Sequence, residues 1–396
     1  MKILQLCYKP PYPPIDGGSM GMHSLTIGLL NNNHKVKVIA FNSYKHPCRV
    51  EDLPKDYVEN TGFETIPIDL KANALDAIIC LLKNKSYIAH RFFNKEMSNK
   101  LKNLLREEEF DFIQFESVFL ASYIPIIKKY SNAKLVLRAP NVEHLIWERT
   151  AQNTKNPIKK LYIKHLATTL KDFELREINN FDGVYPVTKV DEDYFIQNGL
   201  NKPCKGVPVG IEKADIIDDQ EVEENSIFHI GSMNWIPNEQ GIKWFIDEVW
   251  DLAKAKTPEL KAYFAGRAMP NWLLDLEKKD IFIYGEVPDS VRFMTSKNIM
   301  VTPLLSGSGI RIKIIEAMSI GKCVIATSIA AEGILYENEK NIVIANSPEE
   351  FALAIEKCLR DKEFSAIIGR NAYQLIKEKY NTNAIANELV DLYTEL

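Results

Sequence analysis

The stretch Met300-Val301-Thr302-Pro303-Leu304-Leu305-Ser306-Gly307-Ser308-Gly309-Ile310-Arg311-Ile312-Lys313-Ile314-Ile315-Glu316-Ala317-Met318 decides the fold of the chain's second half. Residues 299–305 read as a short buried strand, 306–309 as a loop of small residues, and the following run as a helix to about Ile320 that Gly321 stops. A strand that feeds a Gly/Ser loop into a helix start presents unpaired backbone N–H groups, a setting that binds phosphate. The helix is apolar nearly all round, so its three charges, Arg311, Lys313 and Glu316, require partners. They supply either an internal ion network or a site for an anionic ligand.

Working outward, residues 226–376 repeat the strand-then-helix pattern. Strands at 227–230, 262–265 and 281–284 end in Gly231-Ser232, Gly266-Arg267 and Gly285-Glu286. Ligands in open α/β sheets bind at such strand ends, so Gly231, Ser232, Arg267, Ser308, Gly309 and Ile310 are donor-side candidates. Trp235 either covers a ligand ring or packs internally. In the first half, a strand at 2–8 opens into a Pro-rich loop and Gly17-Gly18, followed by a helix at 20–30 and a strand at 36–41. There is no GxGxxG and no acidic residue closing the second strand, which excludes a dinucleotide dehydrogenase. Residues 72–110 read as helical, with a basic, aromatic segment from Lys83 to Phe93 that suits an anionic membrane surface or a solvated helix face. Strands at 111–116, 134–138 and 181–188 complete the first sheet. Asp191-Glu192-Asp193 stand where a helix should begin, as ordinary first-turn acids, and no metal site is expected. The polar stretch 207–225, with a short strand at 207–211, is the linker, and a final helix is expected over 377–396.

The Ser-Gly-Ser-Gly-Ile-Arg-Ile-Lys-Ile-Ile-Glu-Ala-Met run, continued by Gly321 to Thr327 and Ala331-Glu332-Gly333-Ile334, resembles the donor signature of family 4 retaining glycosyltransferases of bacterial polysaccharide and glycan biosynthesis. The resemblance implies an α/β chain of GT-B fold, with two Rossmann-like domains facing across a cleft. Residues 1–206 would be the acceptor-side domain, 226–376 the donor domain, and the 377–396 helix would cross back to the first. It also implies a metal-independent hexosyltransferase that needs no cofactor and uses a UDP- or GDP-sugar as substrate. By the same resemblance Arg311 and Lys313 bind the diphosphate, Glu316 the ribose, and Gly17 and Gly18 the donor. The position of the family's first motif glutamate is Ser308, which points to a different donor sugar. The segment Ala139-Pro140-Asn141-Val142-Glu143-His144 matches a family strand end of the form His-Asn-Val-Glu, with Pro140 in place of the histidine. Asn141, Glu143 and His144 are therefore the acceptor-side candidates. A binding protein or scaffold without transfer, and a nucleotide-sugar epimerase, are the competing readings.

Composition sets the bounds. The 396 residues are 46% hydrophobic and 26% charged with net charge −4, which suggests two or three domains and no nucleic-acid partner. Residues 1–208 carry 29 Lys and Arg against 23 Asp and Glu, and residues 209–396 carry 20 against 30. A basic first half could face anionic lipid or an acidic acceptor. Six scattered cysteines without a C-x-x-C pair suit a reducing compartment. The expectation is a cytoplasmic enzyme, with the inner face of the membrane as a further location.

Overall fold

The structure, a computed structural model, describes residues 1–154, 156–211, 221–307 and 309–396. Ser308 and residues 212–220 of the expected linker lie outside the described residues. The chain divides into two units, one of Met1–Gly210 with Thr382–Leu396, the other of Ile211–Asn381. The expected divisions at 206 and 376 thus fall a few residues early.

Unit 1 holds six parallel strands: β1 (Lys2–Cys7), β2 (Lys35–Asn42), β3 (Glu64–Pro67), β4 (Phe112–Phe115), β5 (Lys134–Ala139) and β6 (Gly183–Pro186), in the order β3-β2-β1-β4-β5-β6. The strands read as apolar runs rather than alternations because helices cover both faces of a parallel sheet. Strand order reverses between β1 and β4, the place where ligands bind in open α/β sheets.

Buried polar residues interrupt this apolar pattern, and Gln5, Gln114 and Glu116 are joined by hydrogen bonds. Gln5 donates to Glu116 Oε1 at 2.6 Å, Gln114 donates to the same oxygen, and Tyr393 donates to Gln114 Oε1 at 2.8 Å. Burial pushes the Glu116 carboxyl up, while the Gln5 hydrogen bond and the Arg138 charge oppose it. Arg138 spends its own donors on the carbonyls of Tyr185, Pro186 and Pro208. A buried charge is tolerated only when paired in this way. Tyr393 belongs to the last helix, Thr382–Thr394, and Ser24 and Thr382 share a 2.9 Å bond at its start, so both ends of that helix are tied into unit 1. The sequence expectation of one final helix from 377 is corrected: helix Lys362–Lys379 ends first, and a new helix starts at Thr382.

The stretch expected to be helical over 72–110 holds three helices. Ala74–Leu82, Tyr87–His90 and Lys95–Glu107 each start at a residue whose side chain accepts a backbone N–H: Asn73, Ser86 and Asn94. Tyr87, Ile88 and Ala89 are buried, so the Lys83–Phe93 segment is not a single exposed amphipathic helix.

Unit 2 repeats the plan with β7 (Glu223–Ile230), β8 (Lys261–Ala265), β9 (Ile281–Gly285), β10 (Lys297–Thr302), β11 (Cys323–Ala326) and β12 (Val343–Ile344), in the order β12-β11-β10-β7-β8-β9. Counted within the unit, this is the same doubly wound order as in unit 1, and its reversal lies between β7 and β10. β7 begins at Glu223, inside the segment expected as linker, because Glu223 pairs with Lys261 of β8 and Lys297 of β10. Val207–Ile211 forms no strand, although Val207 donates to Pro186 at 2.8 Å.

Candidate active site

The carboxyl end of β10 leads through Pro303 and the 305–307 turn to Gly309, and helix Ile312–Ser319 begins immediately after Arg311. All three charges of this run have internal partners. Arg311, 9% exposed, donates from Nη1 to the Gly309 carbonyl at 2.6 Å and lays its guanidinium over the Trp235 ring, Cζ 4.8 Å from the centroid. Lys313 and Glu316 pair across one turn at 2.8 Å. Gly307 has φ +131, and a β-carbon there would run into the guanidinium and the indole. Of the Arg/Lys–Glu network in the sequence reading, the Lys313–Glu316 pair is present. Trp235 serves as the platform under Arg311.

Directly across the strand-order reversal, the ends of β7 and β8 are tied together. Gly231 donates to Ala265 at 3.0 Å, Met233 to Arg267 at 2.9 Å, and Gly266 to Gly285 at 2.7 Å. Gly266 has φ +142, and a β-carbon on it would fall 1.7 Å from the Gly231 carbonyl oxygen. Ser232 donates to Asn234 at 2.8 Å and accepts from Asn238 through its carbonyl at 3.0 Å. Gly231, Ser232, half-buried Arg267, Gly309, Ile310 and Arg311 thus belong to strand-end loops at one edge of the unit 2 sheet.

One residue at this edge carried no sequence signal. His229, 2% exposed near the end of β7, donates from Nδ1 to the Val301 carbonyl of β10 at 2.9 Å. Its Nε2 lies beneath Gly231 with no hydrogen-bond partner among the described residues. Burial holds the ring down to about 4, so it is neutral and Nε2 is an acceptor. The sign of the linkage follows. Below about pH 6.5 the unfolded chain takes up a proton that the folded ring refuses, so stability declines from there towards pH 4, by about 3 kcal/mol for this residue. Half-buried His23, between the Tyr12 and Tyr57 rings and also held down to about 4 by burial, acts in the same direction. The urea midpoint of unit 2, followed by the fluorescence of Trp235, Trp244, Trp250 and Trp272, should fall less steeply over this range in His229→Asn than in the wild type. Parallel curves for the two proteins would remove His229 as the cause.

In unit 1, the β1 end places Lys9, 7% exposed, against Asp16 at 2.5 Å. Asp16 caps helix Gly17–Asn31 through Ser19, so Gly17 and Gly18 form its first turn. Burial works against the Asp16 carboxylate, but Lys9 and the Ser19 N–H hold it below its ordinary value. Beyond β5, Asn141 precedes helix Glu143–Asn153. Half-buried Glu143 is pushed up to about 8 by burial and then by the Glu174 charge, with Asn141 and Lys9 opposing. A carboxyl so poised can hold a proton near neutral pH.

His144 does not join this group. Its ring is fully buried, Nδ1 is 2.6 Å from Glu174 Oε2 and Nε2 is 2.7 Å from the Tyr194 hydroxyl. Both nitrogens are engaged, which corrects the expectation that His144 offers an acceptor-side contact. Glu174 also accepts the backbone N–H groups of Glu143 and His144, so the ring and the helix start are held by one carboxylate. The three acids at 191–193 are also internally occupied. Asp191 accepts from Thr188, Glu192 from the Gly206 N–H, and Lys189 pairs with Glu192 and Asp193.

Residues 224–361 match the family model described as glycosyl transferases group 1. A Klebsiella pneumoniae relative, an "uncharacterized 44.6 kDa protein in cps region", is 23% identical over 98% of this chain and 98% of its own length. A Methanocaldococcus jannaschii relative, "uncharacterized glycosyltransferase MJ1069", is 22% identical over 78% of this chain and 81% of its own. Among solved structures, Anabaena Alr3699/HepE in complex with UDP covers 100% of both chains with a TM-score of 0.68 at 16% identity. The chain thus has the GT-B fold, and its residues 224–361 are similar to glycosyl transferases group 1.

Proposed function

We propose that the protein is a glycosyltransferase that takes a sugar from a nucleoside diphosphate-sugar and passes it to a glycan, lipid-linked or protein-linked hydroxyl with retention of configuration. The observation that carries this reading is the Arg311 loop, a buried guanidinium held on Trp235 where the unit 2 strand order reverses, beside the Gly231–Ser232 turn. The UDP in the Anabaena neighbour supports a uridine nucleotide, with a GDP-sugar as the alternative donor. The Klebsiella relative's cps region supports bacterial polysaccharide biosynthesis as the setting.

In the proposed reaction the bond from the sugar's anomeric carbon to the diphosphate breaks and a bond to the acceptor oxygen forms on the same face. The acceptor's proton passes to the departing phosphate. Negative charge grows on that phosphate, so cations and N–H groups fixed beforehand favour the transition state over the ground state. Arg311, Lys313 and Arg267, with the Gly309 and Ile310 N–H groups, fill this role. Glu316 holds the ribose. No protein-held metal or cofactor enters the scheme. Asn141 and Glu143 form the proposed acceptor side of unit 1, with Gly17 and Gly18 near the donor. Pro140, which offers no side-chain hydrogen bond, favours a second reading in which the chain binds nucleotide without transfer.

Nucleotide release from UDP- and GDP-sugars, with and without bacterial glycan or lipid-linked acceptors, tests the proposal. Release stimulated by one acceptor class is expected. Interconversion of sugars without acceptor would replace transfer by epimerisation, and binding with no release from any pair would leave the non-catalytic reading.

A further inference from the structure

Unit 1 leaves an apolar face uncovered. Helix Ala74–Leu82 buries only Cys80 of its nine residues, while Leu75 is 72% and Leu82 81% exposed and Ile78 and Ile79 are about half exposed. The first turns of helix Pro157–Glu177 do the same, with Ile158 81% and Leu161 72% exposed. The helices that carry these faces share a neighbour. Helix Tyr87–His90 packs against both helices, and the Tyr162 hydroxyl lies within electrostatic reach of Tyr87, Arg91 and Cys80. Single exposed leucines are ordinary, but a contiguous group of large aliphatic side chains marks an interaction surface.

Charge identifies what it meets. Residues 71–95 and 157–165 together contain eight lysines and arginines against one acid, Asp76, in a chain of net charge −4. Lys83, Lys85, Lys159, Lys160 and Lys164 are all exposed around the apolar group. A second copy docking through the same patch would bring two such positive surfaces together, which is strongly unfavourable. Lysine is also depleted in protein interfaces, whereas aliphatic side chains rimmed by lysine characterise elements that lie in the headgroup layer of anionic membranes.

We propose that this face docks on the surface of an anionic phospholipid bilayer. The aliphatic side chains enter the boundary between headgroups and acyl chains, and the lysines pair with headgroup phosphates. Docking does not rest on the sugar-transfer reading. No helix of the described residues is long and apolar enough to cross a membrane, so the contact is peripheral.

The test is flotation of the full chain with large vesicles of equal parts phosphatidylglycerol and phosphatidylcholine, against phosphatidylcholine alone. The wild type should float with the mixed vesicles only. Leu82→Glu combined with Ile158→Glu should lower the partition coefficient by roughly tenfold or more, and high salt should lower it further. Both positions are exposed, and an unchanged circular dichroism spectrum and nucleotide response would show that the variant is folded. A wild type that stays with the soluble fraction, or a double variant that floats equally well, overturns the proposal. A dimer in sedimentation velocity that the double variant abolishes would give the face to a second copy and overturn it too. Failure to bind nucleotide would refute the donor site and leave vesicle binding untouched.

Discussion

Arg311→Ala is expected to lower kcat/KM for sugar transfer by about 10²–10³-fold, or about 3–4 kcal/mol of transition-state stabilisation. The size of the effect comes from burial. A guanidinium 9% exposed, fixed by the Gly309 carbonyl and the Trp235 ring, meets a departing phosphate without first having to reorganise. The fold should lose less, about 2 kcal/mol for the lost desolvated contact with the indole. Arg311→Lys keeps the charge but loses the planar fork and should fall between the two. Rates of nucleotide release together with thermal midpoints separate the effects. A rate within a few-fold of wild type in a folded Arg311→Ala would place the diphosphate elsewhere.

Gly266→Ala should be the most damaging single change to unit 2. The added carbon would sit 1.7 Å from the Gly231 oxygen at a residue with φ +142, so both a clash and a disfavoured backbone conformation must be relieved. Relief means parting the β7 and β8 ends that the Gly231–Ala265 and Met233–Arg267 hydrogen bonds hold together. A loss of about 4 kcal/mol or more is expected, in the range reserved for strained backbone and broken buried networks. The tryptophan-detected urea transition measures it. Any protein that still folds should also respond poorly to nucleotide, because the Gly231–Ser232 turn would be displaced. An unchanged midpoint would contradict the close approach of the two strand ends.

The GT-B plan was legible because its signals are local. Apolar runs ending in Gly-Ser, Gly-Arg and Gly-Glu mark parallel strands and their carboxyl ends, and the Ser/Gly loop before Arg311 marks the helix start. β3 and β12 were not anticipated, since a four-residue and a two-residue edge strand carry little periodicity. The run from 72 to 110 read as helical with no breaks placed in it, although Asn73, Ser86 and Asn94 each announce a new start; their capping bonds divide the helical pattern. His144 shows what local reading misses. Its position at a strand end suggested ligand contact, but its partners, Glu174 and Tyr194, stand 30 and 50 positions away in sequence. His229 is the converse, a lone histidine in an apolar strand whose Nε2, unpartnered among the described residues, only the pairing of β7 with β10 defines.

The most direct test of the central claim is a thermal-shift series of the full wild-type chain and Arg311→Ala with UDP, GDP, ADP and their sugar conjugates. A ligand bound to the native state at a hundredfold excess over its dissociation constant stabilises by about 2.7 kcal/mol, a readily measured rise in midpoint. The donor-site assignment predicts such a rise with one nucleotide class, uridine first, and a much smaller one in Arg311→Ala. No rise with any nucleotide, or an equal rise in both proteins, would contradict it.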